Sequence, residues 1–264
     1  MTAFQALILG LIQGLTEFLP VSSSGHLIFI PKLLGWADQG VAFDLVMHLG
    51  TLLAVVIYFR VKLWSLMKAV FSRGTEQTGE RKLAWVIALS CIPAAIVGLI
   101  LKTNDRNAVV VAGNLIFWGL VLGAADLYAR KKKNNEEVGE RKSLQSIIIM
   151  SFAQLLALIP GTSRSGITMT AGLFSGLTRA KAAEFSFLMS VPITALAGAH
   201  AVYELSKIGL AGIEMSSLVI GFLSAFSFGL IAIFSVLKIV QRWSFMPFVV
   251  YRVVIGIMIL IWLT

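Results

Sequence analysis

Six long apolar runs alternate with short polar segments along this chain. The runs lie near 41–60, 83–101, 108–129, 182–204, 215–238 and 247–263. Each is roughly 17–24 residues long, and a helix of that length crosses about 30 Å of hydrocarbon. The pattern therefore predicts an all-α polytopic membrane protein with six transmembrane helices.

Two further segments, 3–40 and 145–175, are apolar but interrupted. The interruptions are Pro20, Gly25, Pro31, Pro160 and Gly161. Each segment is therefore predicted to be a re-entrant helix-loop-helix that dips into the membrane and returns. Irregular backbone at membrane depth is tolerated only where protein or a water-filled cavity surrounds it. The turn between the two helices of each segment, near Pro20 and near Pro160, is called its tip below. We expect the two tips to face each other near the middle of the bilayer.

Composition and charge support a membrane location. The chain is 58% hydrophobic and 13% charged, and a soluble domain would carry roughly twice that charged fraction. The net charge is +9, and much of the basic charge is concentrated at 60–82 and 130–142. Basic residues in short loops usually stay in the cytoplasm. Glutamates interleave with these basic residues, which argues against nucleic-acid binding, so a multi-pass membrane protein with these segments in the cytoplasm is expected.

The predicted orientation divides the chain into two halves. With cytoplasmic loops at 61–82 and 130–142 and an outer turn at 102–107, the first re-entrant pair enters from the outside and the second from the cytoplasm. Residues 1–142 and 143–264 then each contain a re-entrant pair and three spans, in opposite orientation. The tips align at a spacing of about 140 residues, with Pro20 opposite Pro160 and Ser23 opposite Ser163. Inverted-topology repeats of this kind place binding sites where the halves meet.

The first tip carries a polar pair followed by hydroxyls. Gln13 and Glu17 lie one helical turn apart on the same face. Such a pair can bind a hard cation through oxygen ligands, together with phosphates and water, or form a hydrogen-bonded polar stripe between helices. The serines that follow, Ser22, Ser23 and Ser24, are candidates for capping the returning helix or for contacting substrate.

His26 lies three residues after Ser23 and is predicted to face the same cleft. This spacing is compatible with His26 as the base that activates the Ser23 hydroxyl, and equally with His26 as the nucleophile. The alternative is a buried histidine whose hydrogen bonds are satisfied within the bundle.

The second tip is centred on Arg164. A guanidinium at membrane depth needs an anionic partner, and its planar fork suits phosphate oxygens. An ion pair with Glu17 is the structural alternative, and both readings can hold in an empty site. Further phosphate ligands are predicted from the neighbouring hydroxyls and from main-chain amides at the start of the second half-helix: Gly161, Thr162, Ser163, Ser165 and Thr168.

For the remaining ionisable groups in the spans, the sequence predicts structural roles and not catalytic ones. Glu184 and Arg252 are expected to pair with each other. His48 and His200 are interpreted as packing or bundle-lining groups.

At these motifs the chain resembles the bacterial undecaprenyl-diphosphate phosphatase family, also called bacitracin-resistance proteins. The resemblance covers essentially the whole length. It is strongest in Gln13-Gly-Leu-Thr-Glu-Phe-Leu-Pro-Val-Ser-Ser-Ser-Gly-His26 and Pro160-Gly-Thr-Ser-Arg-Ser-Gly-Ile-Thr168. Many members have glutamate where this chain has Gln13, which is a weaker cation ligand.

The resemblance implies an enzyme that removes the terminal phosphate of undecaprenyl diphosphate and so recycles the lipid carrier of peptidoglycan synthesis. It implies that Glu17 and the Gln13 position form a metal or acid–base motif, with Mg²⁺ or Ca²⁺ as the expected cofactor. Ser23 and His26 become candidate nucleophile and base, Arg164 clamps the diphosphate, and the site opens to the outer face.

A second functional class remains open at this stage. Inverted repeats with meeting tips also build transporters, so a carrier or flippase of a lipid phosphate or small anion is the alternative. Hydroxyls beside both a histidine and an arginine favour chemistry, because transport needs no nucleophile. The expected partners are a polyprenyl diphosphate and membrane lipid, not nucleic acid, and the residues do not decide between a monomer and a homodimer.

Overall fold

The computed structural model describes residues 1–72, 78–100, 107–131, 139–208 and 214–263, without the side chains of residues 201, 204–208 and 263. The predicted outer turn and parts of both basic segments lie outside the described residues. Within those that are described, the structure contains α-helices, one 3₁₀-helix and no strand.

The first half contains seven α-helices among the described residues. They are α1 Ala3–Phe18, α2 Ser23–Leu33, α3 Gly40–Tyr58, α4 Arg60–Phe71, α5 Thr78–Leu89, α6 Ile92–Ile100 and α7 Ala108–Lys131. The segment predicted as a loop at 61–82 is therefore largely helical. Its α4 has buried residues at Leu66 and Ala69, three positions apart, and it packs against α5.

The described part of the second half contains five α-helices and the 3₁₀-helix. They are α8 Glu140–Ala153, the 3₁₀-helix Gln154–Leu158, α9 Arg164–Phe174, α10 Arg179–Ile208, α11 Met215–Arg242 and α12 Met246–Leu263. Helices α1 and α2, and likewise α8 and α9, correspond to the two predicted re-entrant pairs.

Five of the six predicted spans coincide with helices long and apolar enough to cross a membrane. They are Gly40–Tyr58, Thr78–Ile100, Ala108–Lys131, Arg179–His200 and Met215–Arg242. The sixth predicted span coincides with the apolar helical stretch Met246–Trp262, which is shorter. The protein is thus an all-α polytopic membrane protein.

Glycines bring α1 and α3 into backbone contact with α11. A Cβ atom added at Gly10 or Gly14 of α1 would lie 2.5 or 2.7 Å from a carbonyl oxygen of α11, and one added at Gly50 of α3 would lie 2.6 Å from another. Small residues permit this close approach of helices within a membrane. Helices α2 and α9 both pack against α7, so the two tips lie beside the same helix.

Candidate active site

The two tips have the same local backbone. Ser22 and Ser163 are the two non-glycine residues with positive φ among those described, at 72° and 73°. Each immediately precedes an eleven-residue helix, α2 or α9. Such a conformation costs on the order of 1–3 kcal/mol for a non-glycine residue and persists only where its surroundings enforce it.

The structural correspondence differs by one residue from the sequence alignment. Ser22 matches Ser163, so Ser23 matches Arg164 rather than Ser163. The Oγ atoms of Ser22 and Ser24 lie 3.3 Å apart, and those of Ser163 and Ser165 lie 3.2 Å apart. The alignment relied on the two prolines, whereas the backbone turn follows the serines. Ser23 and Arg164 therefore begin their respective helices at equivalent positions.

The carboxylate of Glu17 joins the two tips. Arg164 donates from Nη2 to Glu17 Oε1 at 2.8 Å, and Ser23 donates from Oγ to Glu17 Oε2 at 2.9 Å. Gln13 donates from Nε2 to Oε2 at 3.0 Å. The Glu17 side chain is only 9% exposed, so these charge-assisted hydrogen bonds are shielded from solvent. The ion pair between Glu17 and Arg164 that the sequence suggested is present.

Arg164 retains hydrogen-bonding capacity beyond Glu17. Its Nη1 atom is buried and has no partner among the described residues. A guanidinium has five N–H donors in a fixed fork. It can therefore hold Glu17 with one nitrogen while the others bind a phosphate.

A cavity of about 400 Å³ lies beside this carboxylate. This volume is at the lower end of the range for small-molecule sites. The polar residues that line it are Glu17, Ser22, Ser23, Ser24, Asp44, His48, Ser163, Arg164 and Thr194. The geometry thus brings together a hydroxyl, a carboxylate and a guanidinium from opposite halves of the chain.

His48 of α3, which the sequence predicted to be a packing or bundle-lining group, lies beside the site carboxylate. Its Nε2 lies 3.8 Å from Glu17 Oε2, and its Nδ1 lies 2.7 Å from the carbonyl oxygen of Asp44. Because a carbonyl oxygen only accepts, Nδ1 is the donor in that bond. The i, i+4 spacing of Asp44 and His48 within an apolar run was the available signal. His200 is not among the cavity residues.

His26 does not lie where the sequence placed it. Its Nδ1 is 2.7 Å from the Ser22 carbonyl oxygen, and its Nε2 is 2.7 Å from the Tyr251 hydroxyl of α12. The two rings are stacked, with centroids 5.6 Å apart. His26 is buried and does not line the cavity, so its expected contact with Ser23 is absent. The rotation of α2 directs Ser23 toward Glu17 and His26 toward α12.

Several residues predicted to bind phosphate have side chains that point into the protein and away from the cavity. Ser165 donates to the carbonyl oxygen of Leu19 at 2.9 Å, and the Thr168 hydroxyl contacts that of Ser186 at 2.7 Å. Thr162 is fully buried. These three residues do not line the cavity. The hydroxyls of Ser165 and Thr168 instead bind neighbouring segments, whereas the Thr162 hydroxyl is buried and has no partner among the described residues.

Arg252 of α12 links both tips through main-chain carbonyls. Its Nη1 donates to the Pro20 carbonyl at 3.2 Å, and its Nη2 donates to those of Gly161 and Thr162 at 3.1 and 2.9 Å. Its Nε donates to the carbonyl of Leu115 in α7 at 3.0 Å. Arg252 is fully buried, and it acts as a positioning residue for the site.

The predicted pairing of Arg252 with Glu184 is therefore wrong. Glu184 binds Lys181 of its own helix at 2.9 Å. A buried arginine needs hydrogen-bond acceptors, which the sequence led us to expect from a carboxylate. The acceptors of Arg252 are instead main-chain carbonyl oxygens of the two tips.

The metal ligands predicted from the sequence are Gln13 and Glu17. The described residues contain no group of three or more His, Cys, Asp or Glu side chains placed to bind an ion. Both oxygens of Glu17 already accept hydrogen bonds. Gln13 offers its buried Oε1, which has no partner among the described residues. Mg²⁺ and Ca²⁺ bind about six or more oxygen ligands, so Gln13 and Glu17 alone would not complete the coordination of either ion.

Comparison with known proteins identifies the family. The family model of bacitracin resistance protein BacA matches residues 6–258. The chain belongs to the BacA family. Both tips fall within the matched residues, so the resemblance inferred from the two motifs is confirmed.

Two relatives show how far the similarity extends. Undecaprenyl-diphosphatase 1 of Pseudoalteromonas translucida is 43% identical over 270 residues, covering both chains in full. The undecaprenyl-diphosphatase of Alteromonas mediterranea is 43% identical over 266 residues and covers 98% of each chain. This BacA-family chain is therefore similar to these enzymes over its whole length.

Proposed function

We propose that this BacA-family protein hydrolyses undecaprenyl diphosphate to undecaprenyl phosphate and inorganic phosphate in the bacterial inner membrane. The observation that carries this proposal is the shared carboxylate: Ser23 and Arg164, from opposite tips, bind the two oxygens of Glu17 at the wall of one cavity. The names of the full-length relatives support the same activity. A transporter would need neither the hydroxyl nor its carboxylate acceptor.

The first chemical step uses Ser23 as nucleophile and Glu17 as base. The Ser23 oxygen attacks the terminal phosphorus, and its proton passes to Glu17 Oε2, to which it is already hydrogen-bonded at 2.9 Å. A bond forms between Oγ and phosphorus, and the bond from phosphorus to the bridging oxygen breaks. The electron pair leaves with undecaprenyl phosphate. His26, whose ring nitrogens contact Ser22 and Tyr251, is less suited to either role.

The second step releases phosphate. The oxygen of a water molecule bonds to the phosphorus of phosphoserine, the bond between phosphorus and Oγ breaks, and Glu17 returns its proton to the serine oxygen. Both protons of the water leave with the inorganic phosphate. Arg164 binds the phosphate oxygens throughout both steps. Most of the rate enhancement comes from alignment and charge stabilisation, because phosphoryl transfer demands little covalent chemistry from the protein.

A divalent cation bound together with the substrate would be held on the protein side by Gln13 Oε1 and Glu17, with phosphate oxygens and water as further ligands. It would supply positive charge that neutralises the phosphate oxygens. The site faces the outer side in this proposal, because the positive-inside pattern leaves residues 1–40 outside.

Phosphate release from undecaprenyl diphosphate tests this proposal. Purified wild type is expected to release phosphate, and Ser23→Ala to reduce kcat by at least about 10³-fold through loss of the nucleophile. Ser175→Ala, a serine at the end of α9 bonded to Gly172, is the matched control with wild-type activity. A chelator is expected to slow the wild type, and acid quenching to trap phosphoserine at position 23. Near-normal turnover by Ser23→Ala would overturn the mechanism, and no phosphate release by wild type would overturn the function.

A further inference from the structure

His48 of α3 is a cavity residue that the first chemical step does not use. It lines the cavity beside Glu17, and its side chain is 37% exposed. The Ser23 hydroxyl already has a proton acceptor in Glu17 Oε2 at 2.9 Å. The imidazole of His48 is therefore available for another part of the reaction.

One hydrogen bond determines which nitrogen of His48 accepts from the cavity. Nδ1 lies 2.7 Å from the main-chain carbonyl oxygen of Asp44, and a carbonyl oxygen only accepts, so Nδ1 carries the proton. In the neutral ring the other nitrogen, Nε2, is then an acceptor. Nε2 is the nitrogen that lies 3.8 Å from Glu17 Oε2. The tautomer fixed by Asp44 thus directs an acceptor, and not a donor, toward the site carboxylate.

Two acceptors therefore face each other at this end of the cavity. At 3.8 Å, Nε2 and Glu17 Oε2 are beyond hydrogen-bond distance, and neither can donate to the other. A phosphate oxygen placed between them would bring a third acceptor. A water molecule can donate two hydrogen bonds and so bridge polar groups of this kind. The arrangement favours water over a phosphate oxygen beside His48.

Helix packing fixes His48 relative to Glu17. A Cβ atom added at Gly50, two residues further along α3, would lie 2.6 Å from the carbonyl oxygen of Phe222 in α11. Helix α1, which carries Glu17, also packs against α11. Because α1 and α3 are held against the same helix, the imidazole and the carboxylate keep their separation.

The distances place such a water molecule within reach of a phosphorylated Ser23. Because Ser23 Oγ lies 2.9 Å and His48 Nε2 3.8 Å from Glu17 Oε2, these two atoms are at most about 7 Å apart. An attacking oxygen starts about 3–3.5 Å from the atom it attacks, roughly in line with the leaving oxygen. A hydrogen bond from that water to Nε2 adds about 3 Å. A water molecule bound to His48 can therefore lie on the far side of the phosphorus from Oγ.

We propose that His48 Nε2 orients the water molecule that hydrolyses the phosphoserine. The water donates a hydrogen bond to Nε2, and its oxygen forms the bond to phosphorus. The bond from phosphorus to Oγ breaks, its electron pair stays on Oγ, and Oγ takes the proton held by Glu17. His48 accepts a hydrogen bond but no proton, so both water protons leave with the inorganic phosphate. This inference rests on the proposed function, because the phosphoserine is formed in that reaction.

Asp44 is the competing ligand for this water. It lies one helical turn before His48 on α3 and lines the same cavity. Its Oδ1 accepts from Gln39 Nε2 at 2.8 Å, and its main-chain carbonyl binds the imidazole. Asp44→Asn retains an acceptor oxygen for Gln39 but removes the charge, so this variant distinguishes the Asp44 carboxylate from the His48 ring.

Rapid-quench kinetics with undecaprenyl diphosphate labelled at its terminal phosphate test the role of His48. The method separates formation of phosphoserine at position 23 from its breakdown. His48→Phe keeps a ring but has no acceptor. It is expected to form phosphoserine at near the wild-type rate and to hydrolyse it about 10–10²-fold more slowly, because a misplaced reactant costs that much. Phosphoserine should therefore accumulate in this variant.

Two further variants serve as controls. His48→Gln restores an acceptor oxygen at the same position, and it is expected to recover most of the breakdown rate. His200→Phe makes the same substitution on α10, at an exposed histidine outside the cavity lining. It should form and hydrolyse phosphoserine at wild-type rates.

The pattern of rates decides between the alternatives. Equal slowing of formation and breakdown in His48→Phe would show that His48 acts on Glu17 and would overturn the proposal. An unchanged breakdown rate in His48→Phe, or no recovery in His48→Gln, would overturn it as well. Greater slowing of breakdown in Asp44→Asn than in His48→Phe would assign the water to Asp44. If the wild type forms no phosphoserine and releases no phosphate, the proposed function fails and this role with it. Normal wild-type turnover with unchanged His48→Phe kinetics removes only the role of His48.

Discussion

At the scale of single residues, the site depends on one carboxylate that joins the two tips. Glu17 accepts from Ser23 on one oxygen and from Arg164 on the other. A charged group inside a membrane protein is costly and is usually retained for function. Glu17 and Arg164 neutralise each other's charge, and in the proposed mechanism the diphosphate gives Arg164 a second anionic partner.

Arg164→Lys tests whether the planar fork matters beyond its charge. A lysine ammonium keeps the positive charge but cannot hold Glu17 and a phosphate with two separate nitrogens. We expect kcat to fall by about 10²-fold or more, measured as phosphate release from undecaprenyl diphosphate. Arg179→Lys, where the arginine pairs with Asp126 away from the cavity, is the control and should keep near-normal kcat. Equal activity of both variants would show that charge alone suffices at position 164.

At the scale of elements, the tips depend on backbone conformation as much as on side chains. Gly161 has a φ of 87°, and a Cβ atom there would lie 2.4 Å from the carbonyl oxygen of Val111 in α7. Its own carbonyl accepts from Arg252. The second tip is therefore pressed against α7 at a position where only glycine fits.

Gly161→Ala is expected to lower the thermal unfolding midpoint and to abolish most activity, because the added methyl group pushes the tip from α7. Gly35→Ala separates this clash from backbone strain, since Gly35 also has a positive φ, 65°, but has nothing within 4 Å of the added Cβ. The control should lose only about 1–2 kcal/mol of stability and retain activity. Similar losses in both variants, measured by thermal melts and phosphate release, would contradict the close contact with α7.

At the scale of the whole molecule, the prediction that the halves have opposite orientation remains to be tested. It rests on basic charge near 60–82 and 130–142. The common backbone of the two tips, with Ser22 matching Ser163, supports a repeat but not its orientation. The orientation of each half in the membrane therefore has to be measured separately.

Thiol labelling measures that orientation directly. Cys91 is the single cysteine, so Cys91→Ala provides a background for Ala37→Cys and Arg141→Cys at exposed positions. A membrane-impermeant reagent is expected to label position 37 only from the outside and position 141 only from the cytoplasm, as the positive-inside rule requires. Labelling of both positions from the same side would refute the inverted arrangement.

Sequence patterns predicted most of the membrane-spanning helices, the two tips and three residues of the candidate site. The apolar runs predicted the helices because a span must be long enough to cross hydrocarbon. The interrupted segments predicted the tips because proline and glycine break helices. Glu17, Ser23 and Arg164 could be selected as candidates because polar groups are expensive at that depth. The weaker predictions were the 61–82 loop, which is largely helical, and the sixth span, which is a shorter helix.

Tertiary structure decided which groups meet. Sequence spacing put His26 near Ser23, but the rotation of α2 turned its ring toward Tyr251. No local pattern linked Arg252 to Pro20, Gly161 and Thr162, because its acceptors are main-chain carbonyls exposed only when both tips pack together. His48 joined the site through the packing of α3 against the tips. The sequence alone determined the membrane class and the candidate chemistry, since both follow from the cost of placing each residue type in lipid. Apart from the ion pair between Glu17 and Arg164, which the sequence suggested, the contacts between residues more than 100 positions apart followed only from how the helices rotate and pack.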